Sequence, residues 1–251
     1  MTKVISVVSG KGGVGKTTLG SNIGVALASL GKSVLLVDGN LSGANLGLHL
    51  DVLPFYPFSL NNVLRGEIEI EKGIYRHHSG VEVLPASLLD HYIEPHRIKH
   101  VVKHMLDKKD FIIIDAAAGL DREVKVAIDA ADSIIIVTNP EMPALTDAVR
   151  IKKLAHEKKK EIMGVVINRV SKERFELNKE YIEDFLGLPV LAVIPEHKKV
   201  REAIAIKTPV FLHAPRLNVS KEIMKLSCMI AGEEIPKIGI WERFKAFLGL
   251  G

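Results

Sequence analysis

Six short apolar runs limit what this chain can fold into: "VISVV" at 4–8, "VLLVD" at 34–38, "FIIID" at 111–115, "SIIIVT" at 133–138, "IMGVVIN" at 162–168 and "VLAVIP" at 190–195. Each is continuous and rich in β-branched residues, as suits a strand covered on both faces, and segments of helical period separate them. That alternation predicts an α/β fold with a doubly wound, mostly parallel sheet, whose ligands collect at the carboxyl ends of the strands. The chemically odd residues fall at those ends: a glycine loop after the first run, then Asp38, Asp115, Asn168 and Pro195. A length of 251 residues accommodates the whole pattern in one large domain. The net charge of +4 is compatible with nucleotide phosphates, anionic lipid or nucleic acid and selects none of them. The single Cys228 excludes an internal disulfide and a cysteine-ligated cluster, and suits a small core residue.

The glycine loop carries the chemistry. "GKGGVGKT" at 10–17 fits G-x-x-x-x-G-K-[ST], with a strand before it and the helical "TTLGSNIGVALASLG" after it. In such a loop the backbone of Gly12, Gly13, Val14 and Gly15, continuing into Thr18, cradles phosphates at a helix N-terminus. Lys16 then reaches the terminal phosphates and the Thr17 hydroxyl ligates magnesium. Magnesium takes hard oxygen ligands and few of them from protein, so Thr17 with the strand-end carboxylates Asp38 and Asp115 forms the expected set. A helix or turn cap is the alternative role for either aspartate. The motif needs one lysine, and Lys11 is left without a task.

With "VDGNLSGANLG", "IIIDAAAGL", "VTNPEMPALTDA", "GVVINRV" and "LAVIPEHKKVREA" following "KGGVGKTT" in order, the sequence resembles the MinD/ParA family of deviant Walker ATPases, its MinD branch in particular, over nearly the whole chain. The resemblance implies a P-loop NTPase fold, ATP and Mg²⁺ as cofactors, and ATP hydrolysis coupled to spatial regulation of cell division. It implies a nucleotide-sandwich homodimer in the ATP-bound state, in which Lys11 reaches the partner's ATP and joins Lys16 and Asp38 in the catalytic set. Asn168 and Arg169 match the adenine-contacting pair, an amide for the base edge beside a planar cation that can stack on it. Pro195 and Glu196 match the segment lining the other side of the base, and Asn45 a residue near the sugar and phosphates at the dimer seam. Glu141 and Asp147 match positions used for regulatory protein partners, with a cluster at a helix N-terminus as the alternative role.

Two positions depart from the family pattern. The second strand in this family usually ends Asp-x-Asp, and here Asn40 stands where the water-positioning aspartate belongs. An amide can accept a hydrogen bond from water but cannot take a proton, so binding is expected to survive while turnover falls by ~10²–10⁴. "DAAAGL" also lacks the usual proline after Asp115, which leaves that loop less constrained.

Glycine, proline and charge in "GEEIPKIG" break the helical pattern and set off residues 232–251 from a 1–231 ATPase domain. In the last segment, at about 100° per residue, Ile240, Trp241, Phe244, Phe247 and Leu248 fill one arc, with Arg243 and Lys245 on its shoulders. This is the layout of an amphipathic helix lying on an anionic membrane surface, with a helix docked on its own core as the alternative. The chain opens without a charged leader, and no run approaches the ~18 apolar residues of a spanning helix, so the expected location is cytoplasmic, peripherally membrane-associated when ATP-bound. His96, His100 and His104 recur at i, i+4, i+8; a solvated helix face is the expected reading and a metal site the alternative. Two other functions remain open on sequence: a turnover-impaired ATP sensor that recruits a partner, and a ParA-like DNA-partitioning ATPase. The second has no evident use for the tail, so nucleic acid is not the expected partner.

Overall fold

All six runs become strands of one sheet, joined by two shorter strands. The computed structural model describes residues 1–89 and 95–235. In chain order the strands are β1 (Lys3–Ser9), β2 (Val34–Gly39), β3 (Tyr75–Arg76), β4 (Glu82–Leu84), β5 (Phe111–Ala118), β6 (Ser133–Thr138), β7 (Glu161–Val170) and β8 (Val190–Pro195). They lie in the order β3-β4-β2-β5-β1-β6-β7-β8, with every neighbouring pair parallel except β3 and β4. The helices between them are α1 (Lys16–Ser29), α2 (Leu46–His49), α3 (Leu60–Arg65), α4 (Ile98–Met105), α5 (Arg122–Ala130), α6 (Met142–Glu157), α7 (Lys179–Leu186), α8 (Lys198–Ala205), α9 (Val210–His213) and α10 (Asn218–Ala231).

Side chains alternate across a strand, so each central strand feeds two cores. Val4 and Val8 of β1, Leu35 and Val37 of β2, and Ile112 and Ile114 of β5 pack with α3 to α7. Ile5 and Val7, Val34 and Leu36, and Phe111 and Ile113 pack with α1, α2 and α8 to α10. Each such fully buried aliphatic side chain contributes about 1.5–3 kcal/mol of transfer free energy. Helix α1 is covered on most sides, and Gly24 is what lets it approach β2, because a Cβ there would collide with Leu36.

Cys228 sits in the second core, its sulfur 3.7 Å from that of Met224. On α4 the residues Ile98, Val101, Val102 and Met105 are buried while His100 and His104 are exposed, as is His96 in the single 3-10 turn just before the helix. Leu106, which the period assigns to the buried face, lies past the end of the helix and is exposed. His104 Nε2 is 2.7 Å from Glu71 Oε1, and among the described residues no group of three or more histidine, cysteine or acidic side chains is arranged to hold a metal ion. No helix among the described residues is long and apolar enough to cross a membrane. The tail residues Ile240, Trp241, Arg243, Phe244, Lys245, Phe247 and Leu248 lie outside the described residues.

Helix α10 delivers the chain to the end of the sheet opposite the glycine loop. Lys3, at the start of β1, donates from Nζ to Ile230 O at 3.1 Å, and Lys32, just before β2, pairs with Glu233.

Candidate functional site

Strand β1 ends at Ser9 and α1 begins at Lys16, so the glycine loop sits where a parallel sheet presents its carboxyl ends. Its shape follows from its residues. Gly13 and Gly15 adopt φ 80° and 98°, values that favour glycine, and no atom lies within 4 Å of where a Cβ on Gly13 would be. Val14 is buried in the core beneath the loop and pins it, while Ser9 Oγ donates to Lys11 O at 2.7 Å. Gly10 is in contact with the backbone of Asp147 on α6, where a side chain would not fit. Helix α1 has no side-chain cap at Gly15, which leaves its first N–H groups available to an anion.

The two lysines of the loop have different surroundings. Lys16 is only 8 % exposed, and burial lowers its pKa against the opposing pull of Asp115. Lys11 keeps its side chain 45 % exposed and meets Glu141 Oε1 at 3.1 Å, a surface pair worth ~1 kcal/mol or less.

The two aspartates also differ. Asp38 and Asp115 are opposite one another on adjacent strands. Asp38 is fully buried; its carboxylate accepts from the backbone N–H groups of Asn40 and Leu46, both at 3.2 Å, which orders the segment after β2 and caps α2 in place of Asn45. Burial, and then the charge of Asp115, push Asp38 up to about 8. Asp115 is pushed up to about 6 by burial, with Thr17 and Lys16 pulling the other way. Thr17 sits close enough to be felt, yet neither Asp115 oxygen has a hydrogen bond of good geometry. Two partnerless buried carboxylate oxygens beside a threonine hydroxyl fit a hard divalent cation, and they fit it better than Asp38 does with its oxygens engaged.

After β2 the chain folds on itself. Asn40 Nδ2 and Asn45 Nδ2 both donate to Gly43 O, at 2.5 and 2.7 Å, and the Ser42 N–H and hydroxyl lie 3.4 and 3.3 Å from Glu123 at the start of α5.

On the other side of the loop, Gly15, Thr18, Asn168, Arg169, Pro195 and Glu196 line one pocket. Arg169 Nε is 3.9 Å from Glu196 Oε2. Arg169 also takes a left-handed φ of 60°, a strain of roughly 1–3 kcal/mol that persists only where the surroundings enforce it. Val200, Arg201 and Ile204 of α8 line the same pocket. Nothing in "HKKVREA" marks these residues as lining a site, because one turn of a mixed helix carries no sign of what it faces. Of the expected partner residues, Glu141 is tied to Lys11, and Asp147 abuts Gly10 and accepts from Arg150 at 2.9 Å. Both have partners within the chain.

Fold and site together define a P-loop nucleotide-binding protein of the doubly wound class. Within that class the chain belongs to the MinD/ParA family and is MinD-like: the CobQ/CobB/MinD/ParA nucleotide binding domain matches residues 5–210. An uncharacterized ATP-binding protein of Methanocaldococcus jannaschii is 41% identical over 92% of this chain and 89% of its own length. The septum site-determining protein MinD of Pyrococcus horikoshii, solved with Mg-ADP, superposes with a TM-score of 0.87 at 36% identity, covering 92% of this chain and 96% of that one. The MinC:MinD cell division protein complex of Aquifex aeolicus gives 0.82 at 32% identity, covering 94% and 98%.

Proposed function

We propose that this protein is a Mg-ATP-dependent dimerising ATPase with slow turnover that associates with membrane in its ATP-bound form and regulates the placement of cell division. The observation that carries the reading is the division between the loop lysines: Lys16 is buried under the loop beside Asp115, and Lys11 stands at the surface. A buried Lys16 serves its own phosphates, while a surface lysine at the mouth of the same loop can serve those of a second subunit. Glu141 is then a holding partner that Lys11 exchanges for phosphate.

Residues 1–231 act as the ATPase domain. Gly12, Gly13, Val14, Gly15 and Thr18 supply the phosphate cradle. Thr17 and Asp115 hold Mg²⁺, with Asp38 behind them shaping the loop that carries Asn40. The metal ion, when bound, neutralises charge on the terminal phosphates. Asn168, Arg169, Pro195 and Glu196 enclose the base, and Asn45 lies toward the sugar and the dimer seam. Asn40 turns its Nδ2 inward to Gly43 O, so its Oδ1 is the atom left to orient an attacking water. It accepts no proton from that water, which is why turnover is slow.

The tail, 232–251, would bind anionic membrane through Ile240, Trp241, Phe244, Phe247 and Leu248, with Arg243 and Lys245 at the headgroups. Because α10 ends at the far side of the sheet from the glycine loop, nucleotide acts on the tail by pairing two subunits rather than by touching it. A regulatory protein would meet the edge near Glu141 and Asp147 once Lys11 has let go. The Aquifex aeolicus MinC:MinD complex is the precedent for a protein partner. Light scattering tests the core of the proposal: the protein should be a dimer in Mg-ATP and a monomer in Mg-ADP. A monomer in both would refute it.

A further inference from the structure

Asn168 faces two compartments at once. Strands β7 and β8, whose register has already shifted once between Val165 and Val166, pair Val166 with Ala192 and Ile167 with Val193 and next pair Val170 with Pro195, so Asn168 and Arg169 occupy a bulge, with Arg169 in the left-handed conformation. A bulge re-aims side chains. This one sends Asn168 across to the phosphate loop, where Nδ2 donates to Val14 O at 2.7 Å. The contact is tight: a Cβ on Gly15 would collide with that same Nδ2. Val14 is held from below by the core, so the bond fastens the loop to β7 two residues before the start of the helix that carries Lys16 and Thr17. The remaining surface of Asn168 lines the pocket of Arg169, Pro195 and Glu196.

An amide flipped the other way would set its oxygen against the Val14 carbonyl, so the bond also fixes which atoms Asn168 offers to the pocket. We propose that Asn168 is a positioning residue for the phosphate loop as well as a base contact, so that one side chain couples base binding to phosphate binding. The strained Arg169 backbone then has a purpose in aiming its neighbour. This rests on the reading of the site as an ATP site.

The test uses a probe that has phosphates but no base. Affinity of the full chain for Mg-tripolyphosphate and for Mg-ATP is measured by calorimetry in the wild type, Asn168→Ala and Asn168→Asp. The aspartate keeps size and an acceptor but turns an oxygen toward Val14 O. Both variants should bind tripolyphosphate about tenfold more weakly, the equivalent of ~1.4 kcal/mol. In the nucleotide-free protein the Gly15 and Lys16 amides should exchange with solvent about tenfold faster. Unchanged tripolyphosphate affinity with weakened ATP binding would make Asn168 a base contact only and overturn the coupling, leaving the ATP site intact. A wild type that binds neither probe would overturn the ATP-site reading and the coupling with it. Should the variants fail to fold, the unmutated chain decides: one Asn168 side-chain N–H should exchange slowly without nucleotide, and two freely exchanging protons would refute the bond.

Discussion

Replacing Asn40 by aspartate sets two effects of known size against each other. The native amide donates from Nδ2 to Gly43 O at 2.5 Å. The new carboxylate would place an oxygen there instead, and one net hydrogen bond, about 0.5–1.5 kcal/mol, would be lost from the loop. Gly43 O keeps its second donor, Asn45 Nδ2 at 2.7 Å, so the carbonyl is not orphaned. If the whole loss falls on the reactive loop conformation, the rate drops by a factor of about 2–12, since 1.4 kcal/mol is tenfold. Against this the carboxylate can take the proton of the attacking water, a gain of ~10²–10⁴. The gain wins, and Asn40→Asp should hydrolyse ATP between about ten and several thousand times faster than the wild type. Its ATP-bound dimer should be correspondingly short-lived. Single-turnover phosphate release at protein concentrations that support the dimer measures this directly. Equal rates for the two proteins, or a wild type already as fast as the variant, would show that the water is handled by other groups.

Further expectations concern the buried acids and the tail. Burial raises Asp115 to about 6 and Asp38 to about 8, against 3.8 for an ordinary aspartate. Between those values the unfolded chain has released protons that the folded one retains, so the stability of the protein free of metal and nucleotide should fall as pH rises from about 4 through 8. Asp115→Asn should stabilise it in urea at pH 8 by up to about 3 kcal/mol and leave it little changed at pH 4; a loss of stability at pH 8 would reverse the sign. Removing residues 238–251 should abolish sedimentation with anionic liposomes and spare ATP-driven dimerisation, and Trp241→Glu should do nearly the same. Two tails on one dimer can raise avidity by ~10²–10⁴, so a Lys11→Ala monomer sedimenting as strongly as the ATP dimer would make the tail a constitutive anchor.

The parallel sheet was legible because its central strands β1, β2, β5 and β6 are buried on both faces and must be apolar throughout, whereas β8 at the far edge is apolar although only Ala192 and Ile194 of it are buried. The six runs correspond to β1, β2, β5, β6, β7 and β8. Strands β3 and β4 were not legible: two and three residues at one edge of the sheet are too short to impose a pattern. The glycine loop was legible because its conformation restricts residue type, as Gly13 and Gly15 demonstrate. What the sequence could not convey was pairing across distance. Nothing in "VINRV" marks a bulge that turns Asn168 onto Val14, and nothing in "VTNPEMPALTDA" says that Glu141 holds Lys11 while Asp147 abuts Gly10. Nor could it distinguish the two strand-end aspartates. Only the fold brings two backbone N–H groups onto Asp38 and leaves the Asp115 oxygens, with Thr17 nearby, without a hydrogen bond of good geometry.

The central claim is that one loop carries two lysines with separate tasks, and a paired measurement on Lys11→Ala and Lys16→Ala reaches it most directly. ATP affinity is read by calorimetry and assembly by light scattering on the same samples. The account predicts that Lys16→Ala binds no ATP, since the lysine buried beside Asp115 is lost. Lys11→Ala should bind ATP within a few-fold of the wild type and stay monomeric at every concentration of Mg-ATP. Equal loss of ATP affinity in both variants, or an ATP-dependent dimer without Lys11, would contradict it.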